Sequence, residues 1–587
     1  MNTNSFQPVM QHSFLFGHLH IIYCLTKGKP RDINSNYIPI LIMENWKSLY
    51  PESKTCPPLF YVDLWPMGPP TIFSESLRFT KPHICPFTHI LSAREHSHLT
   101  NSQKRNSNIF PLAAVDPSLP SQSSFDLHQV HHHPNMLSYL HPLTHNLDMV
   151  SAKGAAWRTW RTRFSYGFSP KNITALIPVI LDEVAVFRDI LRSKAGKDRN
   201  TWGPVFLLEP ATTNLTFDII ARVSLDLRLH EQTRSTGPSP FKRALLDQLG
   251  LMLFEYNILT LPQILNPVRR WKMWRNTRAM REVLLPSVLS RVEGGAGASG
   301  KGEGNTIIDH ALSALRREEE KNKSESGQLE KGRRHDDAAE DMNTNSNSNN
   351  NENKTQDATA DKEAQEFTNA MISNLKAFIF AGHDTTSTTL CWALHSLSSY
   401  PAAASALRSE LDAVLGPDPS TAIPQLRANP HLLHQLPYAN AFVKEVLRLY
   451  PSAATIRVSP GEFKYKCTTH KSNPTGTTHV PTYEEEVKQE YPTKDFMLYD
   501  ASHASMRSPL IWERAEEFLP ERWLARPGDA LYVDRNTKQK NAWRPFGLGP
   551  RQCVGQELAL TEMKLALVVV AREVDVECAW GEWDLER

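Results

Sequence analysis

A cysteine in a glycine-containing loop is the residue whose surroundings most clearly indicate chemistry. Cys553 follows Gly549 and Arg551 and precedes a run of good helix formers that begins at Gln556. The run predicts a helix whose N-terminus lies at or just after the cysteine, where unpaired backbone N–H groups and the helix dipole favour a thiolate. A thiolate can bind a metal ion or act as a nucleophile. For such a residue on its own, a buried free cysteine without chemistry is the alternative.

Three residues around the cysteine suit a flat ligand that carries negative charge. Gly549 and Gly555 are expected to let the backbone turn tightly and approach such a ligand closely, because glycine has no side chain. Arg551 directs a permanent positive charge at any anionic group on that ligand. The loop therefore has the residues to hold a flat anionic ligand beside the sulfur.

A second polar group lies in the middle of a long predicted helix. Apolar periodicity predicts this helix over about 364–400, ending before a proline. Gly382, Asp384, Thr385 and Thr386 stand near its centre, although a glycine, an acid and β-branched residues are poor helix formers. A threonine hydroxyl can bond to the carbonyl one turn back and bend the helix. Such local weakness indicates a functional site, whereas an exposed polar stripe is the alternative.

Two pairs of residues place an arginine beside a ring or an acid at helical spacing. Trp157 and Arg161 are four residues apart and share one helix face, where a surface stack of the two side chains is the ordinary outcome. Glu445 and Arg448 are three residues apart on a helix predicted over 437–450. Surface pairs of this kind are common, so neither pair indicates a function on its own.

Taken in chain order, these motifs resemble those of the cytochrome P-450 family. Residues 546–555 fill every fixed position of the family's cysteine loop, F-x-x-G-x-R-x-C-x-G. The helix centre at 381–386 matches the family's pattern Ala/Gly-Gly-x-Asp/Glu-Thr-Thr/Ser at every position. The resemblance covers about 140–587 closely and about 60–80 loosely.

Three further motifs support the resemblance. Trp157 and Arg161 are similar to a W-x-x-x-R helix of the family, and Glu445 and Arg448 to its E-x-x-R helix. Arg522 lies in a Pro-Glu-Arg-Trp segment that resembles the family's P-E-R-F. By that resemblance, Glu445 between Arg448 and Arg522 would form a hydrogen-bonded network that pins the haem loop, and the three residues are expected to be structural.

The resemblance implies which residues bind the cofactor, haem b (iron protoporphyrin IX). Cys553 would be the axial thiolate ligand of the haem iron, and Phe546 would pack beside the sulfur and shield it. Haem propionates would be met by Trp157, Arg161, Arg457 and Arg551, and the other expected cofactor-binding residues are Ala381, Gly382 and Gly555.

The same resemblance assigns the oxygen chemistry to the centre of the long helix. Ala381 and Gly382 would form the groove that admits dioxygen over the haem. Asp384 and Thr385 would be catalytic and would manage protons during oxygen activation. His383 occupies a variable position of the motif, and no role is assigned to it.

The protein implied by the resemblance is a single haem domain, mainly α with small β-sheets, that acts as a monooxygenase. One oxygen atom of O2 would enter a small apolar organic substrate, and the other would leave as water. Electrons would come from a separate NADPH-cytochrome reductase. A positive face around Arg544, Arg551 and Lys564 is the expected docking site for that reductase.

Within the family, the segments at 60–66, 141–157 and 491–523 look most like fungal secondary-metabolite members. These include versicolorin-type monooxygenases that act on aromatic polyketides.

Two other functions stay open beside this one. The first alternative is a haem-thiolate enzyme that desaturates or rearranges its substrate, against which the intact Asp384 and Thr385 argue. The second is a defective, non-catalytic haem protein from an imperfect gene model.

The composition excludes several other classes of protein. The 587 residues carry a net charge of only +2, and no basic block with interleaved aromatics occurs, so a nucleic-acid partner is not expected. The seven cysteines are odd in number and scattered, without a C-x-x-C pair. This usage argues against a disulfide framework or a zinc site and fits a reducing compartment.

The chain is expected to divide into an N-terminal segment, residues 1–59, and one haem domain, residues 60–587. By resemblance the protein would belong at the cytoplasmic side of the endoplasmic reticulum membrane. However, no apolar run reaches the roughly 18 residues that span a bilayer, so the family's anchor helix is expected to be missing. The hairpin that usually follows the terminal strand, predicted near 573–577, is expected to be absent too.

Two segments of the domain are predicted to be disordered insertions. Residues 81–135 show no period and contain His128 and three histidines at 131–133, which are expected to be solvated rather than metal-bound. Residues 321–361 are charged and then rich in Asn and Ser, a composition that buries too little apolar area to offset chain entropy. Two short strands between 60 and 73 are predicted to begin the domain.

Overall fold

Helices form most of the part of the chain that the structure, a computed structural model, describes. The longer described ranges are 134–196, 201–253, 261–293, 306–336, 349–453, 502–509, 511–532 and 542–579. Short described pieces lie at 24–25, 45–49, 59–62, 71–74, 90–95, 455–458, 464–472, 483–492 and 497–500.

Twelve helices of seven residues or more lie within the described ranges. In chain order they are α1 Pro134–Thr144, α2 Gly154–Ser165, α3 Pro170–Lys194, α4 Glu209–Leu225, α5 Pro240–Leu251, α6 Pro267–Glu293, α7 Ile307–Asp336, α8 Asn349–Ser399, α9 Pro401–Leu415, α10 Ala422–Ala428, α11 Pro437–Leu449 and α12 Gln556–Val570. Shorter helical turns span Trp46–Leu49, Leu261–Leu265, Pro419–Thr421, Pro430–Gln435, Ser502–Ser505 and Pro520–Trp523.

The strands of the described ranges form three small sheets. The strands are β1 Leu59–Val62, β2 Thr71–Ser74, β3 Ile90–Glu95, β4 Phe206–Leu207, β5 Thr455–Val458, β6 Lys464–Ser472, β7 Tyr483–Pro492, β8 Met497–Asp500 and β9 Val574–Cys578. One sheet has the order β1-β2-β8-β5, a second has β4-β3-β9, and β6 pairs with β7. All pairs are antiparallel except β2 with β8.

Several helices begin at a proline that follows a capping residue. Ser169 precedes α3, and its hydroxyl accepts a hydrogen bond from the backbone N–H of Asn172 in the first turn. Ser239 precedes α5, and its hydroxyl accepts one from the N–H of Lys242. Each hydroxyl satisfies one of the N–H groups that a helix start leaves unpaired, and proline fits the first turn because it has no N–H to satisfy.

Helix α8 runs through the centre of the core. The Phe378 ring on α8 makes edge-to-face contacts with Phe164 at 4.7 Å and with Phe168 at 5.3 Å. On the opposite side α4 packs against the middle of α8, because Gly382 has no side chain there. A Cβ at Gly382 would lie 2.9 Å from Cγ1 of Ile220, closer than real Cβ atoms come. The glycine therefore sets the distance between α4 and α8.

The mainly α fold with small sheets is confirmed. The strands predicted between 60 and 73 are β1 and β2, an antiparallel pair in which Phe60 lies opposite Phe73. The strand predicted near 573–577 is β9. The division of the chain at residue 59 stays a prediction.

Secondary structure is described in parts of both segments predicted to be disordered, and the disorder of the two insertions stays a prediction. Strand β3 lies within 81–135 and pairs with β4 and β9, so its partners are distant in sequence and gave no local signal. Helix α7 continues to Asp336, and α8 begins at Asn349 rather than near 364.

Neither a metal cluster nor a membrane-spanning helix occurs in the part of the chain that the structure describes. No group of three or more His, Cys, Asp or Glu residues there could hold a metal ion. The four histidines at 128 and 131–133 lie outside the described residues. None of the described helices combines the length and the apolar character needed to cross a bilayer.

We expect His503, in the turn Ser502–Ser505, to make the folded protein sensitive to acid. Burial, and secondly Arg507, lower the pKa of this imidazole to about 3 from 6.5, against a hydrogen bond to the Leu449 carbonyl that raises it. Below about pH 6.5 the His503 imidazole becomes protonated in the unfolded chain, whereas in the folded protein it stays neutral down to about pH 3. Stability from the neutral ring is thus fully present above pH 6.5 and falls by up to about 1.4 kcal/mol per pH unit below it.

Urea unfolding of His503→Gln between about pH 7 and about pH 4 checks this, because glutamine keeps an N–H donor but does not titrate. The variant should lose less stability on acidification than the wild type. His434→Gln, at an exposed position, is the matched control and should leave the slope unchanged. Equal slopes for His503→Gln and the wild type would contradict the assignment.

Candidate active site

The loop before α12 is folded back on itself by its own backbone. Cys553 N–H donates to the Phe546 carbonyl at 2.9 Å, and Gly547 N–H donates to the Arg544 carbonyl at 3.0 Å. Gly547 and Gly549 have φ angles of 68° and 74°, a region that L side chains rarely adopt. The two glycines therefore allow the turn that brings the cysteine under Phe546. Helix α12 then starts at Gln556, as predicted.

Gly555 has a different role from the one expected. Its φ angle is −86°, which any residue can adopt, so the turn does not require glycine there. A Cβ at this position would be 3.7 Å from the Phe168 ring and 3.9 Å from the Cys553 sulfur, which are ordinary contacts. The expectation of a tight turn was therefore right for Gly549 and wrong for Gly555.

The Cys553 side chain is exposed in an open cavity whose walls surround it with protein atoms. Burial raises the pKa of its thiol, while the Gly555 N–H and, after it, the Arg161 charge lower the pKa by less. The backbone N–H at the helix start therefore favours the thiolate, as expected, but burial outweighs this contribution. A nearby metal cation would reverse the balance, because coordination deprotonates a thiol.

The cavity joins the cysteine loop to the centre of α8. It is lined from the loop by Phe546, Gly547, Arg551, Cys553, Val554 and Gly555, and from α8 by Phe378, Ala381, Gly382, Thr385, Thr386 and Thr389. Its empty volume is about 1220 Å³, including the part open to solvent. A ligand that fills this space would contact both the cysteine loop and α8.

Polar side chains in the centre of α8 bond to its own backbone. The Thr385 hydroxyl donates to the Ala381 carbonyl at 2.9 Å, the bond to the preceding turn that the sequence predicts. The His383 ring nitrogen Nδ1 bonds the Ile379 carbonyl, while its own carbonyl accepts the Thr216 hydroxyl from α4. His383 is thus buried between α4 and α8, and it does not line the cavity.

Two arginines lie near the cysteine side of the cavity. The Arg551 guanidinium lies over the Trp157 ring at 4.6 Å and donates to the Ala152 carbonyl. Arg161, one turn after Trp157 on α2, donates to the Gln552 carbonyl at 2.8 Å. Burial lowers the pKa of both guanidinium groups, although they stay cations at neutral pH. The sequence-predicted pair on α2 is therefore brought to the cysteine loop.

Arg544 was missed as a residue of this site. The sequence suggested a docking surface made of Arg544, Arg551 and Lys564, but Arg544 is only 5% exposed and lines the cavity. Its burial could not be foreseen, because the loop that covers it closes only in the folded protein. The surface expectation was therefore wrong for this arginine.

Glu562 is a second residue that sequence reasoning missed. It is buried on α12, lines the cavity, and has a pKa raised well above the ordinary value by burial. The available signal was a carboxyl group on the otherwise apolar face of α12 that carries Leu558 and Met563. Burial therefore favours the protonated, neutral form of this side chain at the cavity wall.

Four predicted site residues do not line the cavity. Trp157 and Arg161 lie beside it, against the cysteine loop, and the other two are Asp384 and Arg457. Asp384 is exposed, and its charge, after burial, contributes to raising the pKa of Tyr139. Arg457 lies on β5, opposite Leu498 of β8, where the structure describes the backbone only. Contacts of Asp384 and Arg457 with a cofactor or its oxygen stay predictions.

A buried carboxylate forms a separate cluster beside the site. Glu445 accepts from Arg448 at 2.8 and 2.9 Å and from Arg522 at 3.0 Å, and these side chains are fully buried. The Trp523 indole and the Leu519 N–H donate to the same carboxylate. Burial alone would raise the pKa of Glu445, but the two arginines hold it below its ordinary value. The structure thus brings together the three residues of the predicted network.

The donor set at the cavity fits a haem. A thiol faces a large space with apolar walls, and arginines at its edge can pair with the carboxylates of a flat macrocycle.

Comparisons with known proteins agree with this fit. A family model described as Cytochrome P-450 matches residues 127–460 and 474–582, more than half of the chain. The chain is 29% identical over 583 residues to "Cytochrome P-450 monooxygenase polC" of Polytolypa hystricis, covering 99% of this chain and 83% of that protein.

Two further relatives are more distant or shorter matches. "Cytochrome P-450 monooxygenase acrF" of Aspergillus aculeatus is 28% identical over 479 residues, which cover 80% of this chain and 82% of that protein. The mitochondrial 25-hydroxyvitamin D-1 alpha hydroxylase of Homo sapiens is 33% identical over 208 residues, 35% of this chain and 34% of that protein.

We expect Glu445→Gln to lower the free energy of unfolding by about 3–5 kcal/mol, because it leaves two buried guanidinium groups without a counter-charge. Urea denaturation of the full chain measures this loss. Glu282→Gln removes the same charge from the exposed pair with Arg278 and should cost less than about 1 kcal/mol. Similar losses for the two variants would show that the buried cluster does not stabilise the fold.

Proposed function

Since this chain belongs to the cytochrome P-450 family and is an oxidoreductase of the monooxygenase class, we propose that it binds haem b through Cys553 and inserts one oxygen atom of O2 into an apolar organic substrate. The observation that carries the proposal is the shared cavity, which Cys553 lines together with Gly382 and Thr385. When bound, the haem would supply the activation of O2. The residues of the chain would position the haem, shield the sulfur from water and deliver protons to the cavity.

The loop residues hold the cofactor in this proposal. Cys553 would hold the haem iron through its sulfur. The hydrogen bond from the Cys553 N–H to the Phe546 carbonyl would keep the sulfur next to a ring that excludes water. Arg551 and Arg161 pair with propionates, and Trp157 stacks under Arg551 and limits its movement. Arg457 is a further propionate partner in this proposal.

Thr385 and Asp384 handle protons in the proposed reaction. The Thr385 hydroxyl gives its hydrogen to the Ala381 carbonyl, so its lone pairs are free to accept a hydrogen bond on the cavity side. Asp384 directly precedes Thr385 on α8, and its side chain is exposed to solvent. The pair therefore supports a proton route from solvent to the cavity.

The walls of the cavity favour an apolar substrate. Phe168, Ile220, Phe378 and Leu447 line it from four different helices or loops. We propose an aromatic or polycyclic product of fungal secondary metabolism as the substrate, because two of the relatives are fungal monooxygenases. Electrons come from a separate NADPH-cytochrome reductase in this proposal.

The proposed location is the cytoplasmic surface of the endoplasmic reticulum membrane. It is supported by exposed apolar residues at the start of α6, here named the α6 patch: Leu261, Leu265, Val268, Trp271 and Trp274. Trp274 is 59% exposed and Leu265 is 68% exposed. Arg275 and Arg278 lie over the two tryptophan rings. Tryptophans among cations suit the interface of an anionic bilayer.

The test of the proposed function is the carbon monoxide difference spectrum of the dithionite-reduced, haem-loaded protein. We expect a Soret band at the position diagnostic of thiolate ligation and its loss in Cys553→Ser. Cys391→Ser, at a buried cysteine outside the cavity lining, is the control and should keep the band. A wild-type band at the non-thiolate position would contradict ligation by Cys553.

Turnover under isotopic O2 with a reductase then tests oxygen insertion. We expect one labelled oxygen atom in the product. A desaturated or rearranged product without the label would overturn the monooxygenase proposal and favour the alternative that the sequence leaves open.

The α6 patch predicts binding to lipid vesicles that contain anionic phospholipid. We expect Trp271→Ala/Trp274→Ala to weaken co-sedimentation of the full chain with such vesicles by about tenfold or more, because both rings would lose apolar area that is buried on binding, at roughly 25 cal/mol per Å². Trp202→Ala, an exposed tryptophan elsewhere, is the matched control. Unchanged binding of the double variant would show that this patch does not contact the bilayer.

A further inference from the structure

A cluster of nucleophilic and titratable side chains lies outside the cavity and takes no part in the proposed function. The Cys578 sulfur is 3.0 Å from Nδ1 of His395, and Nε2 of the same ring is 3.1 Å from the Ser399 hydroxyl. We propose that Cys578 is a nucleophilic thiol activated by His395, a site of covalent modification by hydrogen peroxide and other small electrophiles. The name Cys578 cluster is used below for these three residues.

The fold places the three residues together from two distant parts of the chain. His395 and Ser399 are four residues apart in the last turns of α8, so they share a helix face. Cys578 ends β9, where side chains alternate between the two faces of the strand. Val574 and Val576 are buried and share its face, which packs against α8. The cysteine is thereby directed at the helix that carries the histidine.

The second partner of the histidine sets its chemistry. If Nε2–H donates to the Ser399 oxygen, the lone pair of Nδ1 is directed at the Cys578 sulfur. Burial lowers the pKa of His395, so the ring is neutral and can accept a proton at neutral pH. The edge of the ring also meets the Trp392 indole at 5.6 Å, which restricts its rotation. This is the arrangement of nucleophile, base and orienting group that activates a thiol.

Nearby charges do not replace the histidine as the activating group. Asp575 and Glu577 stand on the other face of β9. The Asp575 carboxylate accepts from Arg408 at 3.0 Å, and Glu577 is exposed. Burial lowers the pKa of His395. The reactivity of the thiol should therefore depend on His395 itself.

A second cysteine of α8 provides an internal comparison. Cys391 is 1% exposed, and its sulfur is 3.2 Å from the Thr212 hydroxyl, which is not a base. Burial raises the pKa of its thiol to about 12. Cys578 is half-buried, and Ser399 of its cluster is exposed, so small reagents can reach the cluster from solvent. The two thiols thus differ in both access and activation.

The proposed modification is the two-electron oxidation of the thiol. His395 accepts the thiol proton, and the sulfur attacks one oxygen of hydrogen peroxide. The S–O bond forms as the O–O bond breaks, and the leaving hydroxide takes up the proton from His395 and becomes water. Sulfur is oxidised to a sulfenic acid and peroxide is reduced. Alkylating reagents react at the same sulfur and release only their leaving group.

Alkylation of the full-length, haem-loaded protein by limiting iodoacetamide, mapped by peptide mass spectrometry, tests the proposal. We expect Cys578 to be labelled at least about tenfold faster than Cys391, and His395→Gln to slow the labelling of Cys578 by about tenfold or more. Ser399→Ala should slow it less, because it removes only the orienting partner. Labelling of Cys391 reports on unfolding and should stay slow in every variant.

Two outcomes would overturn the inference. Cys578 reacting no faster than Cys391 would show that the thiol is not nucleophilic, and an unchanged rate in His395→Gln would show that the histidine does not activate it. A parallel incubation with hydrogen peroxide and dimedone should give a dimedone adduct on Cys578, and its absence would rule out the peroxide reaction. None of these readouts depends on oxygen insertion, so they are separate from the test of the proposed function.

Discussion

The burial of one carboxylate fixes the part of the molecule on which the active site is built. Glu445 is fully buried, and removing a carboxylate from water costs several kcal/mol unless its oxygens are paired. Arg448, Arg522, the Trp523 indole and the Leu519 N–H all donate to it. Since these donors come from α11 and from a segment about 75 residues later, the carboxylate holds two distant pieces of chain in one arrangement.

That arrangement reaches the cysteine loop through aromatic contacts. The Trp523 ring, fixed by its bond to Glu445, contacts Trp543 at 5.6 Å, and Trp543 contacts Phe546 at 6.0 Å. The Phe546 carbonyl in turn accepts the N–H of Cys553. A pre-organised ligand loses little entropy when it binds a metal, so a rigid path from the buried network to the sulfur favours ligation in one geometry.

Spacing along the chain predicted the parts of this site that depend on local geometry. A cysteine before a run of helix formers had to stand at a helix start, and Trp157 and Arg161 had to share a helix face. The burial of Arg544, the raised pKa of Glu562 and the net direction of the Cys553 pKa depend on which segments cover those groups. Strand β3 likewise forms only because β4 and β9 are beside it. The residues next to a group in the sequence do not predict which distant segments will pack against it.

The weak centre of α8 is tolerated because both of its flanks are packed. Before the centre, Phe378 is held between Phe164 and Phe168. After it, Trp392 stacks on Tyr450 at 3.9 Å. Aromatic contacts of this kind contribute about 0.5–1.5 kcal/mol each beyond their buried area, which offsets the poor helix propensity of a glycine and two threonines. The helix can therefore present hydroxyl groups and bare backbone to the cavity at its least stable point without losing its path through the core.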